Sequence, residues 1–442
     1  GMPEWMMINS IDPDPFVKGG AYVAGTRYKL GDYAPYLYHT TDYGNTWTKI
    51  TKGIDDQHFT RVIRADPKRP GLLYAGTENG MYISFNNGKN WQSFQLNLPL
   101  VPITDLTIKN DNLIAATQGR SFWMIDDLTP LHQLNEVVAQ SDLFLYQPLA
   151  SYRIGGSQAK NLKTEGTNHP GGVMVHFYLK EKPADTLEVK LSFHEKDGAL
   201  IREYSSTAKE EKDQLKDLKA GGNFFSWDMK YPAAKKFDGM ILWWANMSGP
   251  VALPGEYIVK LTVGENSQEQ TFQILADPRS ESSREDLIAQ KHFMIEVRDK
   301  VSEAHEAIID IRTIKKQMNE LSERLKSDEQ MKVVVEKAKS ITEQLDAIEN
   351  ALYQTKNQSQ QDPLNFPIKL TNKLAHLNSL TGIGNNRPTK QAYQVKQEIT
   401  QQIDQELTKF NQIRDQEIPL FNELVKEKSV DAIILKKKET VN

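Results

Sequence analysis

Two tryptophans 44 residues apart constrain this chain more than any other feature. Thr40–Trp47 reads TTDYGNTW and Ser84–Trp91 reads SFNNGKNW, and each follows a strand of small residues, YVAGT in one case and LYAGT in the other. A third unit, LIAATQGRSFWMIDD, keeps the small-residue strand and lacks the turn. Apolar and polar residues alternate along all three, with Gly, Asn and Asp between the runs, so residues 1–140 read as short antiparallel strands.

The residues of the turn explain its form. Asp42 is suited to accept backbone N–H groups of its own turn, and Gly44 can take the positive φ of a tight hairpin. Thr40 and Thr46 can tie the flanking strands, and Trp47 is a large apolar plug for the gap between sheets. A period of roughly 40–45 residues with about four strands is that of a propeller blade. Three units cannot close a ring of four or more blades, so an open edge is expected. Gly1-Met2 resembles a tag remnant followed at once by strand-like sequence. The chain is therefore expected to enter part-way through a blade, as a truncated chain would, with the rest of the ring upstream or on another chain.

TTDYGNTW resembles the Asp-box motif of BNR-repeat propellers such as sialidases, sortilin-type receptors and two-propeller xyloglucanases. SFNNGKNW is a degenerate copy with Asn86 for Asp and Asn90 for Thr. In that family the box sits at the hairpin between outer strands, away from the ligand face. The resemblance thus implies a structural role for Thr40, Asp42, Gly44, Thr46 and Trp47, and for Ser84, Asn86, Gly88 and Trp91. Gly119–Trp123 with the following Asp-Asp-Leu-Thr-Pro, and LYQTKNQSQQDPLNFPIKLTNKLAHL with the RPT beyond it, resemble the C-terminal portion of bacterial BNR or sortilin-like proteins. Such proteins are often labelled glycosyl hydrolases, and the resemblance implies an extracytoplasmic (periplasmic, cell-surface or secreted) location.

Residues 141–277 carry β-type runs at MVHFYLK, TLEVKLSFHE, FFSWDM and EYIVKLTV, joined by Gly-containing turns, which suggests a sandwich. GGNFFSWDMKYPAAKKFDG and GPVALPGEYIVKLTV resemble the Ig-like domain of flagellar hook-capping proteins, a spacer or anchor. That resemblance implies a core Trp227 and a Pro254-Gly255 turn leading into Tyr257. Residues 278–442 are helical. Leu287, Met294, Val301 and Ile308 form one heptad row, and Val297, Ala304, Ile311, Met318 and Leu325 the other. A second seam runs through Met331, Val334, Ala338, Ile341, Leu345, Ile348 and Leu352. Ser282 with Glu285 is expected to form the capping box of the first helix, and Pro419 to kink or end the last. The fold expected is multidomain β + α. It joins a partial Asp-box β-propeller of about three blades, an Ig-like β-sandwich and an antiparallel helical bundle.

Composition removes several chemistries. With no cysteine there is no disulfide, thiolate metal site or cysteine nucleophile. A net charge of −4 gives no field for nucleic acid, and the Lys436–Lys438 run reads as a tail. No apolar run reaches membrane-spanning length. No metal or cofactor motif appears, and a metal role for His169 and His176 beside the Pro-Gly-Gly turn is disfavoured. Hydrolysis would require two carboxylates facing a cleft, and Asp32, Glu78, Asp126 and Asp127 are the candidates. The arginine motif of sialidases is missing; YRIGG at 152–156 shares only two letters with it. Trp243-Trp244 offers an aromatic platform or buried packing. Arg120, Ser121, Phe122 and Trp123 form the best local binding candidate, against the rival reading that Phe122 and Trp123 close the last blade. The function expected is a non-catalytic binding or assembly protein for peptide or glycan, able to self-associate through its open edge or its helices. The alternative is the C-terminal part of a sialidase- or xyloglucanase-like hydrolase with its main catalytic residues elsewhere.

Overall fold

The structure is a computed structural model that describes residues 1–155, 166 and 169–430. Lys436–Lys438 and Gly156 lie outside the described residues. Three antiparallel meanders come first. β1 (Met7–Pro13), β2 (Ala21–Arg27), β3 (Asp32–Thr40) and β4 (Thr48–Lys49) form one sheet. β5 (Thr60–Ala65), β6 (Leu73–Thr77), β7 (Gly80–Ser84) and β8 (Gln92–Ser93) form the second, and β9 (Ile103–Lys109), β10 (Asn112–Thr117) and β11 (Phe122–Ile125) the third.

The first sheet holds four strands from Met7 onward, which corrects the expectation that the chain enters a sheet part-way. β1, read as strand-like sequence, is mostly exposed, with Met7, Ile8 and Ile11 open to solvent. Its Asn9 and Ser10 side chains donate to Thr60 and Ile63 carbonyls, and Asp12 accepts the Ala65 N–H, so polar residues dock it on β5.

Side-chain alternation stacks the sheets face to face. Tyr22, Ala24 and Leu37 meet Ile63, Leu73 and Ala75 of the second sheet. The other face of the second sheet, with Val62, Tyr74 and Ile83, meets Ile103, Leu106, Leu113 and Ala115. Small residues permit this approach: a Cβ on Gly76 would lie 2.7 Å from both Ile103 and Val62 side chains. Two faces point outward. On the first sheet Val23, Tyr36 and Tyr38 are buried beneath Met2, Met6, Ala34 and Trp47 rather than beneath a further sheet. On the third sheet Phe122 is 78% and Met124 50% exposed.

Short helices α1 (Thr129–Gln133) and α2 (Glu136–Gln140) lead to a two-sheet unit. One sheet pairs β12 (Leu143–Leu145), β14 (Val173–Leu179) and β17 (Gly221–Trp227). The other orders β13 (Ser151–Tyr152), β19 (Asn266–Leu275), β18 (Gly255–Val263), β15 (Val189–Glu195) and β16 (Leu200–Ser205). Both sheets bury their inner faces in one core, where the fully buried Trp227 stacks on Phe193 at 4.5 Å. Past Pro254-Gly255 the Tyr257 hydroxyl donates back to Leu253 O at 2.9 Å.

The helices are α3 (Arg284–Leu325), α4 (Lys332–Leu352), α5 (Leu370–Thr381), α6 (Lys390–Gln412) and α7 (Ile418–Glu427). Every residue of the two α3 heptad rows is buried. The capping box uses Ser283 and Asp286, one residue beyond the expected pair, because Asp286 at the third helical position can return a bond to the Ser283 N–H. Pro419 does not end the last helix. A π turn at Ile413–Glu417 precedes it, which accommodates a residue without an N–H. The long β17–β18 connection leaves the sheets and packs Ala234, Phe237, Met240 and Leu242 into the helical core. There the buried His305 Nδ1 donates to Lys235 O at 2.6 Å, and burial pushes its pKa down.

Candidate functional site

In a meander, successive turns alternate between the two ends of a sheet. The β3–β4 and β7–β8 turns, which carry the two tryptophan motifs, therefore share one end. The β2–β3, β6–β7 and β10–β11 turns share the other, together with the β4–β5 and β8–β9 connections. The first end is occupied by the protein itself. Asp66, fully buried after β5, meets His132 of α1 at 2.9 Å, and the Tyr74 hydroxyl donates to it at 3.2 Å. Burial alone would raise the Asp66 carboxyl; bonds from His132 and from the Lys68 and Arg69 amides outweigh it and hold it low.

At this end the two motifs form nearly the same hydrogen-bond network. The Thr40 hydroxyl donates to Asp42 Oδ1 at 2.8 Å and accepts the Gly44 N–H at 3.0 Å. Asp42 also accepts the Thr46 N–H at 2.9 Å and its hydroxyl at 2.6 Å. In the second copy the Ser84 hydroxyl donates to Asn86 Oδ1 and accepts the Gly88 N–H, both at 3.0 Å, and Asn86 accepts the Asn90 N–H at 3.0 Å. Gly44 and Gly88 take φ of 86° and 76°. The tryptophans differ. Trp91 is buried between the first two sheets and donates to Ile50 O at 2.6 Å, whereas Trp47 lies half-buried on the outward face.

The Thr46 hydroxyl and N–H, then the Thr40 hydroxyl, hold the Asp42 carboxyl down from 3.8 to about 2. A depressed folded-state value means these bonds stabilise the turn fully above the ordinary value and are lost as pH falls through the lowered one. A carboxyl-detected NMR titration should give a midpoint near 2 for Asp42, and Asp42→Asn should make this turn as insensitive to acid as its Asn86 counterpart.

The opposite end is open and chemically mixed. Tyr28 stacks on Phe59 at 5.2 Å, and Tyr33, 48% exposed, lies 6.0 Å from the Phe59 ring. The Arg61 guanidinium sits 5.2 Å over Phe59 and 6.0 Å over Tyr28, and its Nε donates to Glu78 at 2.5 Å. The Glu78 N–H bonds Phe59 O at 3.0 Å, which fixes the β6–β7 turn against the aromatic layer. Beside it Asp32 accepts from the Tyr36 hydroxyl at 2.6 Å and pairs with Arg27 at 3.0 Å, and the Tyr36 bond lowers its pKa. Thr26, Thr77 and Thr117, closing the three small-residue strands, each accept an N–H from the following turn.

Arg120, Ser121, Phe122 and Trp123 also lie at this end, the first three exposed, with the side-chain bonds of Arg120 and Trp123 made within their own loop. The Arg120 guanidinium donates to Gly119 O at 3.1 Å, and Trp123 Nε1 donates to Arg120 O at 2.9 Å. Trp123 packs toward the second sheet. Arg61, Phe59, Tyr28 and Tyr33 were not singled out from sequence, because Phe59-Thr60-Arg61 looks like any strand start. Their only signal is an aromatic–cation pair at a connection.

The other flagged residues are dispersed. Asp127 is buried, with the Thr129 N–H at 2.8 Å and His176 at the ion-pair separation of 3.4 Å. Burial opposes ionisation there, but His176 and Thr129 outweigh it and lower the Asp127 pKa. His169 accepts the Gly171 N–H at 3.1 Å. No group of three metal-ligating side chains occurs among the described residues, and no described helix is long and apolar enough to cross a membrane. Trp243 is half-buried, while Trp244 is 76% exposed with φ of 52°.

No family model and no curated protein matches the chain. Solved structures similar to it include YCF48 bound to D1 peptide, at 14% identity over 61% of this chain and 67% of that one, with a TM-score of 0.21. The GH74 xyloglucanase from Xanthomonas campestris is 12% identical over 63% of this chain and 39% of its own, at a TM-score of 0.23. An ancestral GH74 enzyme is 12% identical over 62% and 37%, at 0.22. The chain thus spans less than two fifths of either GH74 enzyme. At these TM-scores the superpositions transfer neither fold nor ligand.

Proposed function

We propose that the three stacked sheets are blades of a β-propeller completed upstream or by another chain, and that the protein binds peptide or glycan without transforming it. Residues 1–140 form this partial propeller, 141–277 an Ig-like spacer and 278–442 a helical assembly module, in an extracytoplasmic protein. The outward face of the third sheet, with Phe122 and Met124 exposed, supports the incomplete ring, since an exposed apolar sheet face calls for a covering neighbour.

The observation that carries the binding reading is the open end of the sheets. Tyr33 and the half-buried Tyr28 supply flat apolar surface, backed by the buried Phe59, and the Arg61–Glu78 pair supplies a donor and an acceptor held by backbone bonds. Aromatic surface with a few fixed polar groups suits sugar faces and peptide side chains. Asp32 and Asp127 both titrate low, whereas a general acid requires a raised pKa. They therefore lend no support to hydrolysis at these sheets.

Peptide and glycan arrays probed with the full chain should return saturable binding, with no cleavage of the bound species. Arg61→Ala should weaken that binding about tenfold, as expected when a partly desolvated arginine is removed. Unchanged binding in Arg61→Ala, or glycoside turnover that vanishes in Asp126→Asn or Asp127→Asn, would overturn the proposal.

A further inference from the structure

A second site lies where the two-sheet unit meets the helices. A cleft of 530 Å³ opens between the end of β13, the β17–β18 connection and the α5–α6 turn. Arg153, Asn246, Gln290 and Asn385 line it, with Met229 and Met294 as apolar wall. Arg153 is half-buried, and its guanidinium meets no carboxylate at ion-pair distance among the described residues. Its Nε donates to Ala252 O at 2.9 Å, and one terminal nitrogen donates to Asn385 Oδ1. Burial pushes its pKa down. A guanidinium partly withdrawn from water favours an anionic partner.

The amides beside it are oriented by donors that leave no ambiguity. Asn246 Oδ1 accepts the Ser248 backbone N–H at 2.9 Å, and Asn385 Oδ1 accepts from Arg153. Backbone N–H and guanidinium can only donate, so each amide presents its NH2 group outward. Neither NH2 group has an acceptor among the described residues. The cleft therefore offers the free NH2 groups of Asn246 and Asn385, while Gln290, whose NH2 donates to Thr381 O and Gly384 O, leaves only its Oε1 as an amide acceptor.

The remaining charges do not cancel Arg153. Asp277 is held by Arg279 through two bonds of 2.9 Å, which lower its pKa to about 2, and Asp228 accepts the Lys230 N–H at 3.0 Å. The lining carries three cations, Arg153, Lys230 and Arg279, against the two carboxylates, which leaves one positive charge. A monoanion balances that excess; a phosphate dianion overshoots it.

We propose that this cleft binds a small monocarboxylate, taken by the terminal nitrogens of Arg153 and by the amides of Asn246 and Asn385. The carboxylate matches the planar fork of the guanidinium, and the methionine wall accepts the apolar part of the molecule. Because the cleft is shared by sheet and helical residues, a bound carboxylate also ties the two together.

Isothermal titration calorimetry on the full chain with acetate, lactate, glucuronate and inorganic phosphate tests the assignment. At least one carboxylate should bind saturably, and Asn246→Asp and Asn385→Asp should each weaken it about tenfold or more. Both substitutions keep the internal acceptor and place negative charge where a donor stood, so the fold is retained, as far-UV circular dichroism would show. Lys180→Ala, on a distant strand end, should bind as the wild type does. Absence of saturable carboxylate binding, binding of phosphate alone, or equal affinities across the aspartate variants would overturn the proposal.

Discussion

Trp91→Ala is expected to destabilise the stacked sheets by about 3–5 kcal/mol, whereas Trp47→Ala costs about 1 kcal/mol. The two tryptophans occupy the same place in the two motifs, so sequence alone treats them as equals. Their surroundings separate them. Trp91 is 5% exposed, fills the gap between the first two sheets and donates its indole N–H to Ile50 O. Removing it opens a large cavity and leaves a carbonyl without its donor. Trp47 lies on a face that no further sheet covers, so solvent fills much of the space it vacates. Chemical denaturation followed by amide exchange in β5–β7 reads the difference, and equal losses at the two positions would contradict the packing.

A comparable loss, about 3–5 kcal/mol, is expected for Trp227→Ala in the two-sheet core. Its ring stacks on Phe193 at 4.5 Å and meets Tyr257 and Phe272 edge-on, so truncation removes contacts with three strands of the facing sheet. Trp227→Phe should be much milder, about 1–2 kcal/mol. The buried indole nitrogen has no hydrogen-bond partner, so its deletion forfeits no bond and removes an unsatisfied polar group. Thermal unfolding of the two variants should show a large downward shift for alanine and a small one for phenylalanine. A phenylalanine variant as damaged as the alanine one would mean that the nitrogen has a partner after all.

The elements legible in the sequence are those whose periodicity follows burial. The α3 and α4 seams could be placed residue by residue, because each apolar position of the heptad faces the bundle. The tryptophan motifs were legible because their Thr, Ser, Asp and Asn side chains bond within eight residues of chain. β1 was legible as a strand but its docking was not: its partners on β5 lie more than 50 residues away and it is held there by polar side chains. The β17–β18 connection was read with the sheets around it, yet Phe237, Met240 and Leu242 serve the helical core. Apolar residues in an irregular segment carry no period that would reveal which core they enter.

The site shows the same division. Arg120–Trp123 stood out as a local cluster, and its bonds prove local. The Arg61 grouping joins residues from β3 and β5 and from the β2–β3, β4–β5 and β6–β7 connections, a juxtaposition that only the stacking of two sheets creates. Arg153 likewise drew attention only as part of YRIGG, while the amides that give its cleft a donor-rich lining lie 93 and 232 residues further along the chain.

The central claim is that ligand is taken at the open end of the sheets and that the tryptophan-motif end is structural. Hydrogen–deuterium exchange of the full chain with and without an array-selected ligand tests it most directly. Protection is predicted at residues 28–33, 55–61 and 78–80, with exchange unchanged at 40–47 and 84–91. Protection confined to the tryptophan-motif turns, with none at the open end, would contradict it.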